Sequence, residues 1–137
     1  MAEQASDAGA PLAIAARLFS AIEAGRLDLV AELYAPDIVV WHNTDGVEQT
    51  GDENLRTLEW VVEHLRDLHY DAIRRFPTDD GFVQLHVLRA TNRAGSRVVV
   101  PACMVGTLVD GLITRLDEYL DSRHVDVFAQ LPPKAGA

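Results

Sequence analysis

Hydrophobic residues recur at helical spacing through the first half of the chain. They predict three helices: one that begins at Pro11 and is closed by Gly25, a short one that ends before Pro36, and one that follows an N-cap at Asp52. The buried stripes of these helices are Ala15, Leu18, Phe19 and Ile22, then Leu27, Val30, Leu33 and Tyr34, then Leu55, Leu58, Val62 and Leu65.

The second half of the chain alternates between apolar and polar residues, which predicts strands. The predicted strands cover residues 38–42, 69–76, 82–92, 97–109 and 112–121, and a short helix follows over residues 122–130. Tight turns at residues 78–81, 92–95 and 110–111 join the last four strands into an antiparallel meander. Pro101 falls inside a strand and therefore predicts a bulge or a sheet edge.

Helices followed by hairpins indicate an α+β fold. We expect a cone-shaped roll in which a strongly bent, mostly antiparallel sheet wraps around the three N-terminal helices and leaves an apolar pocket for a small molecule. The single domain is predicted over residues 11–130. Residues 1–10 are predicted to be a disordered N-terminal tail, and residues 131–137 a loose C-terminal tail.

Charge and composition exclude several classes of partner. The 137 residues carry 12 Lys and Arg against 21 Asp and Glu, a net charge of −9 that disfavours nucleic acid and anionic membrane surfaces. No apolar stretch is long enough to span a bilayer, no signal peptide is visible, and the lone Cys103 suits a reducing cytoplasm. The outward face of the long strands carries Val83, Val87, Val99 and Val105, which predicts a homodimer through the sheet face.

Polar side chains interrupt three apolar strand faces. Glu118 lies between Leu116 and Leu120 on one face, His42 shares a face with Val40, and Gln84 and His86 share a face with Phe82 and Leu88. A buried carboxylate must find hydrogen-bond donors or raise its pKa, and imidazoles transfer protons near neutral pH. If the three faces converge, Glu118, His86, His42 and Gln84 form a candidate catalytic group.

Other interpretations of these residues stay open. Each histidine alone could be a hydrogen-bonded structural residue, and Glu118 could pair with an arginine across the sheet. His42, His86 and Glu118 also match the residue types of a two-histidine, one-carboxylate metal site, but no local ligand spacing supports it, so no metal is predicted. Gly-rich phosphate loops and nucleophile elbows are absent from the sequence, and no cofactor is predicted.

The sequence resembles SnoaL-like proteins of the nuclear-transport-factor-2-like superfamily. The resemblance rests on residues 24–28 (AGRLD), 33–37 (LYAPD), 111–115 (GLITR) and 117–121 (DEYLD), and it implies the α+β cone and a homodimer. The nearest local similarity is to limonene-epoxide hydrolases, whose catalytic acid falls on Glu118 and whose other site residues fall on Gln84, His86, Val40 and His42. Steroid isomerases of the superfamily are a poorer match: their site residues fall on Leu18, His42 and Cys103, which loses two of the three roles, so that activity is not predicted.

The sequence is therefore consistent with two functions. The first is an enzyme that applies cofactor-independent acid–base chemistry (hydration, dehydration, isomerisation or cyclisation) to a small, mostly apolar, terpenoid- or polyketide-like metabolite. The second is a non-catalytic protein that binds a small ligand or acts as a dimerising scaffold. The residues expected to line the ligand are Val40, Leu18, Trp60, Leu88, Leu116, Leu120 and Cys103.

Overall fold

The structure is a computed structural model that describes the backbone of residues 2–128 and the side chains of residues 10–126. Its elements in chain order are α1 (Ala2–Glu23), α2 (Leu27–Leu33), β1 (Tyr34–His42), β2 (Glu48–Thr50), α3 (Gly51–His64), β3 (Arg66–Thr78), β4 (Gly81–Thr91), β5 (Arg97–Val109), β6 (Leu112–Leu120) and α4 (Ser122–Phe128). The predicted tail at residues 131–137 lies outside the described part of the chain.

The strands form one curved sheet in the order β2-β1-β6-β5-β4-β3. All neighbours are antiparallel except β1 and β6, which run parallel. Helix α1 packs against β3 and β4, and α3 packs against β1, so the helices cover the concave face of the sheet. The predicted α+β fold with a bent, mostly antiparallel sheet is confirmed.

Helix α1 is longer at its start than the apolar pattern predicted. It begins at Ala2, so Pro11 lies inside the helix and residues 2–10, expected to be disordered, have a helical backbone. The alanines of this segment favour a helix. At the other end Gly25 has a φ of +69°, and Arg26 N–H donates to the Ala21 carbonyl, which confirms the predicted glycine C-cap.

Helix α3 begins two residues earlier than predicted. The N-cap is Thr50, not Asp52: its side chain accepts a hydrogen bond from the Glu53 backbone, while the Glu53 carboxylate accepts one from the Thr50 backbone. The three-residue strand β2, which precedes this cap, was not predicted because its residues are polar and few.

Turns and interruptions in the sheet decide which side chains face inward. Asp110 and Gly111 both have positive φ, as the predicted two-residue hairpin turn requires. Pro101 lies just beyond the last pair of β5 with β6, where β5 becomes an edge, in agreement with the prediction. The β5–β6 register shifts between Thr107 and Leu108, so Ile113 is buried although strict alternation placed it outside.

The main core lies between α1, α2 and the concave sheet face. Its largest fully buried side chains include Phe19, Phe82, Leu18 and Ile113. None of the helices in the described range is long and apolar enough to cross a membrane.

Candidate functional site

A cavity of about 350 Å³ opens between the concave sheet face and helices α1 and α3. Most of its wall is aliphatic or aromatic, and none of the described residues that line it is Lys or Arg. Its size is near the lower end of pockets that hold small organic ligands. The polar side chains on its wall are His42, Thr44, Asp45, Gln49, Asn54, Thr57, His86 and Glu118, together with the hydroxyl-bearing Tyr34 and Tyr70.

His42 and Glu118 form the first polar contact of the cavity. They are direct partners in the parallel β1–β6 register, and His42 Nε2 lies 3.2 Å from Glu118 Oε1. Both side chains are mostly buried, with 21% and 18% of their surface exposed. The hydrogen bond to Glu118 raises the pKa of His42 above its usual value despite burial, and the negative charges of Glu118 and Asp45 add to the effect. The pair therefore favours an imidazolium next to a carboxylate.

His86 lies on β4 with a different electrostatic environment. Gln84 Nε2 is 2.9 Å from His86 Nδ1, and the imidazole packs edge-on against the rings of Phe19 and Tyr70. Burial lowers the pKa of His86, and the positive charge of Arg75 lowers it further, although Glu118 acts in the opposite direction. The two histidines thus differ: His42 favours the charged form and His86 the neutral form.

The sheet register places Glu118 and His86 on the same inner face of the sheet, two strands apart, and both line the cavity. Ala102 of β5 pairs with His86 on one side and with Leu120 on the other, and the neighbouring Met104 pairs with Glu118. Two strand spacings separate β6 from β4, or about 10 Å between their backbones. The small side chain of Ala102 leaves this space open, so a small molecule can contact both polar groups at once.

Two tyrosines that were not predicted as site residues, Tyr34 and Tyr70, also line the cavity. The Tyr34 hydroxyl donates to Asn54 Oδ1 at 2.7 Å, whereas the Tyr70 hydroxyl has no hydrogen-bond partner among the described side chains. Burial raises the pKa of both phenols, and the nearby charge of Glu118 raises it further, so both remain protonated donors. Alternation on β3 could have placed Tyr70 on the inner face with Leu68, but the bulges of that strand obscure the pattern.

The structure brings most of the predicted site residues together. His42, His86 and Glu118 line the cavity, and so do the predicted ligand-lining residues Val40, Leu18, Trp60, Leu88, Leu116 and Leu120. Gln84 is fully buried behind His86 and contacts it directly.

Cys103 was the wrong choice among the predicted ligand-lining residues. Ala102 and Met104 line the cavity, and strand alternation turns Cys103 between them to the outer face, where it pairs with Leu85 and Tyr119. The same alternation places Val99 and Val105 outside, so the sequence already contained the signal.

Within the described side chains, no group of three His, Cys, Asp or Glu residues comes close enough to hold a metal ion. His42 and Glu118 are in contact, and His86 lies two strands away from Glu118 on the same sheet face.

Comparison with known proteins gives a family and a set of structural neighbours. The SnoaL-like domain family matches residues 15–116. No curated protein matches the chain. The comparisons give no support to the closer likeness to limonene-epoxide hydrolases suggested by the sequence.

Several solved structures share the fold at low sequence identity. A candidate polyketide cyclase from Xanthomonas campestris is 17% identical, with 86% of this chain and 95% of that chain covered at a TM-score of 0.76. AclR, a candidate hydroxylase from Streptomyces galilaeus, is 18% identical, with 91% and 99% covered at 0.78. A protein of ketosteroid isomerase-like fold from Catenulispora acidiphila, solved with trimethylamine, is 16% identical, with 87% and 93% covered at 0.74. These similarities establish the architecture and leave the reaction to be argued from the cavity.

Proposed function

Since the chain belongs to the SnoaL-like domain family, we propose that its cavity is the active site of an enzyme that enolises a small, neutral, mostly apolar carbonyl compound and so isomerises or cyclises it. The observation that carries this proposal is that a carboxyl group, Glu118, and an imidazole with a lowered pKa, His86, line the same mostly apolar cavity. A base and a hydrogen-bond donor that reach the same ligand are the two groups that enolisation requires.

The reaction begins with proton transfer to Glu118. The carboxylate removes a proton from the carbon next to the substrate carbonyl, the C–H electron pair forms the C=C bond of an enolate, and the negative charge moves to oxygen. His86 and Tyr70, which line the same cavity, donate hydrogen bonds to this oxygen in the proposed reaction. The proton on Glu118 then returns to a different carbon, which isomerises the substrate. Alternatively, the enolate carbon attacks a second carbonyl of the same molecule, and the proton passes to the new alkoxide, which closes a ring.

The charge of the cavity disfavours an anionic substrate. Asp45 and Glu118 line the wall, His42 is already paired with Glu118, and no described lining residue is Lys or Arg, so a phosphate or carboxylate group would lack a cationic partner. His42 also orients the carboxylate through its hydrogen bond. The candidate polyketide cyclase from Xanthomonas campestris, which shares the fold, supports the choice of a polyketide-like substrate.

Deuterium exchange tests the proposal without knowledge of the natural substrate. A panel of neutral cyclic ketones and β-diketones is incubated with the protein in D₂O, and loss of the α-proton is followed by NMR. Wild-type protein should accelerate exchange for at least one ligand, and Glu118→Gln should reduce that rate by about 10²–10⁴-fold. Glu63→Gln, at an exposed position of α3, is the matched control and should keep the full rate.

A second candidate function is ligand binding without turnover, which the open, apolar cavity also favours. Ligands that bind with measurable affinity but show no accelerated exchange would select this function. Exchange that is unchanged in Glu118→Gln would exclude Glu118 as the base.

We further propose that a second copy of the chain covers the outer sheet face. The valines at 83, 87, 99 and 105 are only half-buried there, and Phe76 and Tyr119 are 50% and 48% exposed. Sedimentation should show a dimer at micromolar concentration, and Val105→Lys should convert it to a monomer. Val109→Lys, at an exposed hairpin end, should leave the dimer intact, and a monomeric wild-type protein would refute the proposal.

A further inference from the structure

We infer that Arg75 and Gln84 form a hydrogen-bond relay that holds His86 as the Nε2–H tautomer, so that the cavity recognises a hydrogen-bond acceptor, such as a carbonyl oxygen or an enolate oxygen, at this point. The relay lies behind the cavity wall, and Arg75 and Gln84 themselves do not line the cavity. They are positioning residues that act through His86. Only the role of His86 in catalysis rests on the proposed function; the tautomer itself does not.

Which group donates and which accepts in the relay follows from its first donor, Arg75. Arg75 of β3 is the register partner of Gln84 on β4, and its Nε–H donates to Gln84 Oε1. A guanidinium has only donors, so the amide oxygen of Gln84 must face it. This fixes which end of the amide faces His86.

The amide nitrogen of Gln84 is therefore turned toward the imidazole. Gln84 Nε2 lies 2.9 Å from His86 Nδ1, and because an amide nitrogen only donates, Nδ1 must accept. An accepting Nδ1 carries no proton, so the proton of the neutral ring lies on Nε2.

The surroundings of His86 keep the ring neutral. The Arg75 guanidinium carbon lies 6.0 Å from the centroid of the Phe19 ring, and Phe19 and Tyr70 pack edge-on against the imidazole. A second positive charge would be buried close to Arg75 with no acceptor at Nδ1. On the cavity side, the negative charge of Glu118 acts in the opposite direction and raises the pKa of His86, but burial has the larger effect.

The free nitrogen of His86 is open to a ligand. Among the described residues, every buried side-chain N or O has a hydrogen-bond partner. His86 Nε2 has no such partner, so this atom is not sealed in the core and is reached from the cavity that His86 lines. A neutral imidazole N–H donates to an oxyanion without giving up its proton in the ground state, which suits the stabilisation of an enolate. The ligand group at this position is therefore a hydrogen-bond acceptor, such as a carbonyl or enolate oxygen, and not a group that can only donate.

Long-range ¹H–¹⁵N NMR of the imidazole rings tests the relay directly, with His86→Asn used for assignment. Wild-type His86 should show a pyridine-type Nδ1 and a pyrrole-type Nε2 at neutral pH. In Arg75→Met the amide of Gln84 is free to rotate, and the single-tautomer signal should be lost. Gln84→Glu presents an acceptor to His86 Nδ1, so His86 should change to the Nδ1–H or the doubly protonated form. This variant tests the relay independently of Arg75→Met, which it replaces as the test if that variant does not fold.

Two further variants separate a specific relay from a general loss of structure. Arg75→Lys retains a donor for Gln84 and should therefore keep the Nε2–H tautomer that Arg75→Met loses. Arg74→Met, at the neighbouring exposed position, should leave the tautomer unchanged. A wild-type ring with its proton on Nδ1, or a Gln84→Glu spectrum identical to that of the wild type, would overturn the inference. If the tautomer is as inferred but no ketone exchanges its α-proton, the relay stands and the proposed function fails.

Discussion

The contact between His42 and Glu118 predicts a pH-dependent contribution to stability. The perturbation is a double-mutant cycle of His42→Asn and Glu118→Gln. At the observed 3.2 Å, two unit charges attract by about 5 kcal/mol at an effective dielectric constant of about 20. Desolvation of the two mostly buried side chains offsets about half of this, which leaves a coupling free energy of about 1.5–3 kcal/mol, as for other hydrogen bonds to charged groups.

The sign of the pH dependence follows from the raised pKa of His42. The folded state binds the His42 proton more tightly than the unfolded state, whose histidine pKa is about 6.5. The contribution of the pair to stability is therefore fully present below about pH 6.5 and is lost as pH rises through the pKa of the folded state.

Urea unfolding of the wild type, the two single variants and the double variant measures the coupling. The protein concentration is held constant, because association also affects apparent stability. The coupling should be about 1.5–3 kcal/mol near pH 6 and should decline toward about pH 9.5.

The exposed pair of Arg89 and Asp71, 2.9 Å apart, is the matched control. Its coupling should be only about 0.2–1 kcal/mol and should not change over this range, because neither group titrates there. A His42–Glu118 coupling below about 0.5 kcal/mol near pH 6, or one that is equal at both pH values, would show that the charged pair does not stabilise the fold.

Three further predictions concern stability measured by urea unfolding. Thr50→Ala should lower the free energy of unfolding by about 1 kcal/mol because it removes the cap of α3, while Glu53→Gln, which can keep the capping box, should lower it less; equal losses would contradict the cap. Gly106→Ala places a Cβ against the Phe82 ring and should lower the free energy of unfolding by about 1–3 kcal/mol, and Phe82→Leu should reduce that loss in the double variant. Because the pKa of His86 is lowered in the folded state, its contribution to stability should fall as pH drops below about 6.5, and the difference between wild type and His86→Gln should shrink there; a constant difference would contradict a neutral His86.

The sequence predicted the fold well because the signals that determine it are local. Helical stripes, strand alternation and the turn at Asp110 and Gly111 depend on residues close together in the chain, and the structure confirms them. The parallel pairing of β1 with β6 joins segments that are distant in the chain, and no local sequence pattern predicts it. Yet this pairing is what places His42 beside Glu118.

Strand alternation predicted the face of a side chain correctly where the strand was regular and failed at a bulge. Gln84 and His86 lie on a regular strand and fall on the predicted inner face. Ile113 lies on the inner face, against simple alternation, because of the β5–β6 bulge. Cys103 was expected to line the ligand, although the alternation of its own strand places it on the outer face.

The contributions of Arg75 and Tyr70 required three-dimensional information. Both lie on β3, whose register shifts twice against β4, so strand parity could not assign their faces. Their importance comes from contacts across strands: Arg75 with Gln84, and Tyr70 with the imidazole of His86.

The most direct test of the proposed site is the position of a bound ketone in a crystal structure of Glu118→Gln, which keeps the shape of the site and blocks proton removal. We predict a ligand inside the cavity, with its carbonyl oxygen within hydrogen-bond distance of His86 Nε2 and its α-carbon facing residue 118. A ketone that binds elsewhere on the protein, or that turns its oxygen away from His86, would contradict the account.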